Sequence, residues 1–101
     1  MNKDVSIDSY ILDTLMRDLT QHDRSPATFL VYLYLFGATV GAAKRSAHRS
    51  LQMISEETGL SKSAVQIALK KLVRRKLISA RRASKTSVPE YSVHRPWRRG
   101  G

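Results

Sequence analysis

The chain has 101 residues, 42% of them hydrophobic, with 18 Lys and Arg against 8 Asp and Glu for a net charge of +10, and no cysteine. This size predicts one domain with a small core, and the lack of cysteine excludes a disulfide framework and a thiolate metal site, in keeping with a reducing cytoplasm. The longest apolar run, Phe29 to Phe36, is too short to span a bilayer, and polar Met1–Ser9 does not read as a signal peptide. The charge is segregated. Residues 1–40 hold three Lys and Arg against five Asp, a net of −2; residues 41–101 hold fifteen Lys and Arg against three Glu, a net of +12. A field of one sign on one half points to phosphate attraction rather than to solubility alone.

Residues 1–8 are expected to be a flexible N-terminus, 9–94 a single domain and 95–101 a basic, mobile tail. Within the domain, 9–40 read as a helical scaffold, 50–76 as a helix-turn-helix and 77–94 as a wing. Tyr10–Leu19 places apolar residues at 12, 15, 16 and 19, the spacing of one helix face, with Asp8 or Ser9 as its cap. Ser25-Pro26 starts a second helix, running to about Val40. That helix is apolar on nearly every side, which predicts a central core helix or one whose outer face meets a partner. Gly41–Arg49 is a small, basic loop with room for a short strand near its end. Ser50–Thr58 is a short helix with Leu51 and Ile54 inward. Gly59 can end it in the left-handed conformation, and Leu60 plugs the core. Ser61 caps a further helix to about Lys76. Two helices broken by a glycine, the second opening on a serine, form a helix-turn-helix. Leu77–Arg82 and the stretch around Tyr91 and Val93 alternate with period two around the polar turn Ala83–Thr86, giving a β-hairpin wing with Pro89 at a strand start or edge.

At 100° per residue, Leu60, Val65, Leu69 and Leu72 share the inner face of the helix after Ser61, with Ala68 at its margin. The outer face carries Ser63, Gln66, Ile67, Lys70 and Arg74, with Ser61 and Lys62 at its leading end. Such a helix reads base edges in a major groove. Gln66 can pair with adenine, Lys62 and Lys70 with guanine or phosphate, and Ile67 can meet a thymine methyl. The expected base-reading set is therefore Ser61, Lys62, Ser63, Gln66, Ile67 and Lys70. The alternative for Ile67 is packing against the wing or the 41–49 loop. Phosphate or minor-groove contacts are expected from Arg49, Lys71, Arg74, Arg75, Arg81, Arg82 and Lys85, with Lys76 in the same basic run. Charges that guard a sheet edge account for part of the wing equally well. Trp97 is expected to cap the core rather than stack on a base.

Residues 50–93 resemble the bacterial winged helix-turn-helix regulators, most of all the modules of the GntR and MarR type. Ile54, Gly59, Leu60, Ser61, Val65, Ala68, Leu69, Leu72 and the closing Lys76-Leu77-Ile78 carry the resemblance. Lys76 stands where these families often have glycine, and Ser55 where they normally have alanine. The resemblance implies a mainly α fold with a small β-hairpin, and an architecture rather than a regulon.

His22, His48 and His94 lack ligand spacing, and no nucleophile-base arrangement or phosphate-cradling glycine loop is present, so no enzyme, metal, cofactor or small-molecule ligand is predicted. The expectation is sequence-specific binding of double-stranded DNA by a small cytoplasmic, nucleoid-associated transcriptional regulator. A homodimer is expected through the N-terminal helices, whose side carrying some of Tyr32, Tyr34 and Phe36 is read as left uncovered; the alternative is a monomer whose tail, including Trp97, folds back over that side. The competing reading is a winged-helix interaction module, contacting protein or nucleic acid without sequence preference, in a replication or mobile-element assembly.

Overall fold

The computed structural model describes residues 4–98. Residues 1–3 and 99–101, the outer parts of the expected flexible N-terminus and basic tail, lie outside the described residues. The chain forms a mainly helical domain of four helices with a small three-stranded antiparallel sheet. An N-terminal helix covers residues 9–22. Then follow α1 (Pro26–Ala38), a 3₁₀ turn (Val40–Ala42), β1 (Ala47–His48), α2 (Leu51–Thr58), α3 (Lys62–Arg74), β2 (Ile78–Arg81) and β3 (Glu90–Val93).

The N-terminal helix corrects the expected face. Two π-helical segments, Ile11–Leu15 and Asp18–His22, occupy most of it. Their i→i+5 hydrogen bonds widen the turn, so the buried stripe runs at spacing four through Ile11, Leu15 and Leu19. Leu12 and Met16, which a 3.6-residue period assigned to the core, stand 47% and 38% exposed. Neither Asp8 nor Ser9 caps the helix through its side chain; the Ile11 N–H donates instead to the backbone carbonyl of Asp8 at 3.0 Å.

α1 is the centre of the domain. It packs against the N-terminal helix, α2, α3 and β3. Phe29, Val31, Tyr32, Leu35 and Phe36 are all buried, and each large apolar side chain withdrawn from water contributes about 1.5–3 kcal/mol. Most of the apolar surface of α1 is therefore consumed inside one chain, with Leu30 left 44% exposed. The two buried threonines are satisfied: Thr28 Oγ1 bonds Ser25 Oγ, and Thr39 Oγ1 donates to the Leu35 carbonyl at 2.8 Å.

Tyr32 and Phe36 are 0% and 1% exposed and Tyr34 is half-buried, so most of the side on which the dimer expectation rested is covered. The covering group is the C-terminal segment. The Trp97 ring stacks on Tyr10 with centroids 4.6 Å apart and lies 6.4 Å from Tyr32. Its indole N–H donates to Asp8 Oδ2 at 2.9 Å, and Arg95 and Arg98 approach the same carboxylate at 3.4 and 3.7 Å. The Tyr32 hydroxyl donates to the His94 carbonyl at 3.0 Å. Burial raises the Tyr32 phenol above the usual tyrosine range; the Asp8 charge adds to this and Arg95 opposes it. Residues 94–98 are thus held against the start of the chain rather than trailing from it. Val5 lies over Gly41, where an added Cβ would come within 2.8 Å of its Cγ1.

The sheet order is β1-β3-β2. The hairpin read from the sequence gains β1 as a third strand, in the loop segment that had room for one. Ala47 and Ala80 flank Tyr91 on the central strand, and these small neighbours let its ring reach the core, where it is 6% exposed. Arg81 stands opposite Glu90. Ser46 donates to the Glu90 carboxylate at 2.6 Å; this bond, with His48 and Arg81, holds that carboxyl below its usual range against the opposing effect of burial. Pro89 precedes β3, and its carbonyl accepts from the Arg49 N–H at 3.1 Å.

Candidate nucleic-acid interface

α2 and α3 meet at a three-residue turn, and local chemistry fixes it. The Ser50 hydroxyl caps α2 by accepting from the Met53 N–H at 3.1 Å. Gly59 ends α2 at φ +79°, a left-handed conformation that costs glycine little. Ser55 donates to the Leu60 carbonyl at 2.6 Å, bridging the turn. Ser61 then caps α3, its hydroxyl accepting from the Ala64 N–H at 3.1 Å.

α3 presents two unlike faces. Val65, Ala68 and Leu72 are buried, whereas Leu69 is only half-buried. Ala68 thus takes the central place that the 100° projection gave to Leu69. A small side chain there suits the close packing of α1 on α3. On the other face Ser61, Lys62, Ser63, Gln66, Ile67, Lys70 and Arg74 are all exposed, as read from the sequence, and Lys71 is half-buried at the flank. Ile67 is 55% exposed, so neither the wing nor the 41–49 loop covers it. Among the described residues, no hydrogen bond or ion pair engages the side chains of Lys62, Gln66, Lys70, Lys71 or Arg74, while Ser61 and Ser63 approach each other at 3.4 Å.

Two of the expected phosphate contacts have partners within the chain. Arg75 pairs with Asp23 and ties the end of α3 to the end of the N-terminal helix. Arg49 donates to the Tyr34 hydroxyl at 3.0 Å and to the His48 carbonyl at 2.8 Å, and Tyr34 in turn donates to Glu57. Burial and the bond to Glu57 raise the Tyr34 phenol; Arg49 works against them. Both arginines brace the scaffold.

α3 closes on a Schellman arrangement. The Lys76 N–H donates to the Val73 carbonyl at 3.0 Å and the Leu77 N–H to the Leu72 carbonyl at 2.9 Å. Lys76 adopts φ +59°, a left-handed backbone that favours glycine. Beyond it, β2 and β3 carry the basic turn. Arg81, Arg82 and Lys85 are exposed. Arg82 donates to the Lys85 carbonyl at 2.9 Å, and the Ser84 N–H to the Ser87 hydroxyl at 2.9 Å, which gives the turn internal order. Arg81 has Glu90 across the strand pair, so its charge is partly compensated.

Two grooves beside this face were not read from the sequence. One, of about 460 Å³, lies among His48, Met53, Arg82 and Val88. The other, of about 440 Å³, lies between α3 and the sheet, on Leu69, Val73, Ala80 and Tyr91, with Lys70 and Arg74 beside them. Burial raises the Tyr91 phenol, and the Arg82 charge opposes it. The signal for the second groove was available: Val73 falls outside the buried set of α3 and Ala80 is too small to cover it. Among the described residues, no three His, Asp, Glu or Cys side chains gather as metal ligands, and no helix is long and apolar enough to cross a membrane. Comparison with protein-family models, with curated proteins and with solved structures finds no match to this chain.

Proposed function

We propose that this chain is a winged helix-turn-helix protein, similar in architecture to the GntR and MarR modules, that binds double-stranded DNA as a small transcriptional regulator at the nucleoid. The observation that carries the reading is the outer face of α3. Lys62, Gln66, Lys70 and Arg74 are exposed there and have no hydrogen-bond or ion-pair partner among the described residues, while the helix behind them is fixed in the core. α3 enters the major groove. Gln66 reads adenine, Lys62 and Lys70 read guanine or hold phosphate, Ile67 contacts a thymine methyl, and Ser61 and Ser63 sit at the entry. Lys71 and Arg74 hold the flanking phosphates. The turn carrying Arg81, Arg82 and Lys85 runs along the backbone or into the minor groove. Arg49 and Arg75 act behind this surface, by holding the scaffold. The role is binding, with no catalytic step, metal or cofactor.

Selection of bound sites from random duplex, followed by competition with unselected duplex, tests the proposal. A specific site is expected to bind roughly 10³-fold or more tightly than random duplex. Equal affinity for both would refute sequence reading and favour non-specific nucleic-acid binding. A second reading, an interaction module in a larger assembly, draws on one observation: the apolar groove between α3 and the sheet. Failure to bind any duplex would favour it.

A further inference from the structure

The groove between α3 and the sheet combines an apolar floor with a cationic rim. Val73, in the second half of α3, is 45% exposed. Beside it Ala80, Leu69 and Tyr91 complete the floor, and Lys70 and Arg74 stand at the edge. This chemistry fits an amphipathic helix with an apolar stripe and a negative charge next to it.

The chain carries such a helix. The π-helical N-terminal segment buries Ile11, Leu15 and Leu19, which leaves Leu12 and Met16, one turn apart, pointing outward. Asp13 is exposed beside them. This outward face cannot turn to its own groove, because the inner face is locked in the core. Asp8 is also held by the C-terminal segment, and Asp23 by Arg75. The charge complementary to Lys70 and Arg74 comes from Asp13; Arg17, exposed next to Met16, is the cation of the same helix. A DNA backbone offers phosphate to the rim but no apolar stripe to the floor.

We infer that the groove receives the N-terminal helix of a second copy, with Leu12 and Met16 on the floor and Asp13 facing Lys70 and Arg74. Helix and groove are different surfaces, so the contact is head-to-tail. Each added copy leaves one groove and one helix free, and the assembly extends unless its rotation closes a ring. One helix face in one groove buries less than the roughly 1,200–2,000 Å² of stable interfaces. Association is therefore weak, concentration-dependent and reduced by salt. The inference stands apart from the DNA reading, although Lys70 and Arg74 serve both.

Sedimentation velocity on the full chain, from about 10 µM to about 1 mM, tests it. The wild-type sedimentation coefficient should rise across this range without levelling at a dimer. Leu12→Asp removes the helix face and Val73→Asp removes the groove, and each alone should remain monomeric. Their equimolar mixture retains one intact groove and one intact helix, so it should form a dimer and stop there. A wild-type chain that stays monomeric overturns the proposal, and would be the outcome if the groove serves an acidic segment of a different protein. Self-association of either single variant at the wild-type level overturns it too, as does a mixture that stays monomeric. Asp13→Lys and Arg74→Glu, which leave the apolar faces intact, guard against misfolding. Each should weaken association, and both together in one chain should restore it; no restoration counts against the inference. Leu12→Asp lies away from α3, so its duplex affinity, measured in parallel, reports on the DNA reading alone.

Discussion

Gly59 and Lys76 both sit in the left-handed region, at φ +79° and +59°, and only one of them is glycine. Exchanging residue types at the two positions should move stability in opposite directions. An added Cβ at Gly59 would meet no atom within 4 Å, so the cost of Gly59→Ala is conformational and not steric. A left-handed L-residue costs about 1–2 kcal/mol, and loss of glycine's freedom in the unfolded chain returns about 0.4–1 kcal/mol. Gly59→Ala should therefore destabilise by about 0.5–1 kcal/mol, and Gly59→Val by more, because a β-branched residue resists positive φ. Lys76→Gly reverses the same two quantities and should stabilise by a similar amount, since the bonds from Lys76 and Leu77 to Val73 and Leu72 hold the conformation whichever residue occupies it. For a domain of this size 1 kcal/mol moves the melting midpoint by about 4–8 °C. Far-UV circular dichroism should thus show Gly59→Ala melting about 2–8 °C lower and Lys76→Gly higher by a like interval. An unmoved midpoint for Gly59→Ala, or a lowered one for Lys76→Gly, would refute the reasoning.

Raising salt from about 50 to about 200 mM should weaken duplex binding by roughly 10³ to 10⁵ if about six to ten phosphates are contacted; a nearly flat salt profile would exclude such a footprint. Gln66→Ala should cost roughly 1–3 kcal/mol on the preferred site and change the base selected at one position, whereas Arg74→Ala should weaken all duplexes evenly; equal losses on specific and random DNA for Gln66→Ala would remove that residue from base reading. Asp8→Asn should shift the emission of Trp97, the one tryptophan in the sequence, to longer wavelength and lower the melting midpoint, because three partners converge on that carboxylate; an unchanged spectrum would mean that the ring docks without Asp8. Tyr32 is an acid whose folded pKa is raised from its ordinary 10.0, so its contribution is complete below pH 10 and is lost as pH climbs towards the folded value. Melting above pH 10 should therefore fall less steeply for Tyr32→Phe than for the wild type, and parallel profiles would place the alkaline transition on another group.

The parts of the fold legible in the sequence are those set by local chemistry. Ser50, Gly59 and Ser61 bound α2 and α3 through side-chain caps and a left-handed glycine, and these signals need no knowledge of the rest of the chain. Pro26 likewise marks the first turn of α1. The N-terminal helix was legible as a helix but not in its orientation. Assigning a face assumes a period, and the π segments replace a step of 3.6 by one that lines up Ile11, Leu15 and Leu19. β1 is two residues long and pairs with β3, more than forty positions away, so the 41–49 loop showed room for a short strand but nothing local gave its partner.

The dimer expectation shows the same limit in a sharper form. It weighed the apolar surface of α1 against the helices near it in sequence and found a surplus. The alternative to that surplus, a tail whose Trp97 folds back over it, is the arrangement found: Trp97 returns from the far end of the chain to lie beside Tyr10 and Tyr32. A lone tryptophan among arginines reads as a core cap without saying which side of the core it covers. Asp8 gives no such sign until the fold brings the two ends together and the carboxylate meets the indole N–H. The outer face of α3 was legible because a helix with a buried stripe must turn its remaining side chains to water. Which of its cations stay free was not, since Arg75 is taken by Asp23, 52 residues earlier. Periodicity tells which way a side chain points; only the fold tells what already stands there. The cations to test first are therefore Lys62, Lys70, Lys71 and Arg74, whose exposure or flanking position on α3 is not already used by another part of the chain.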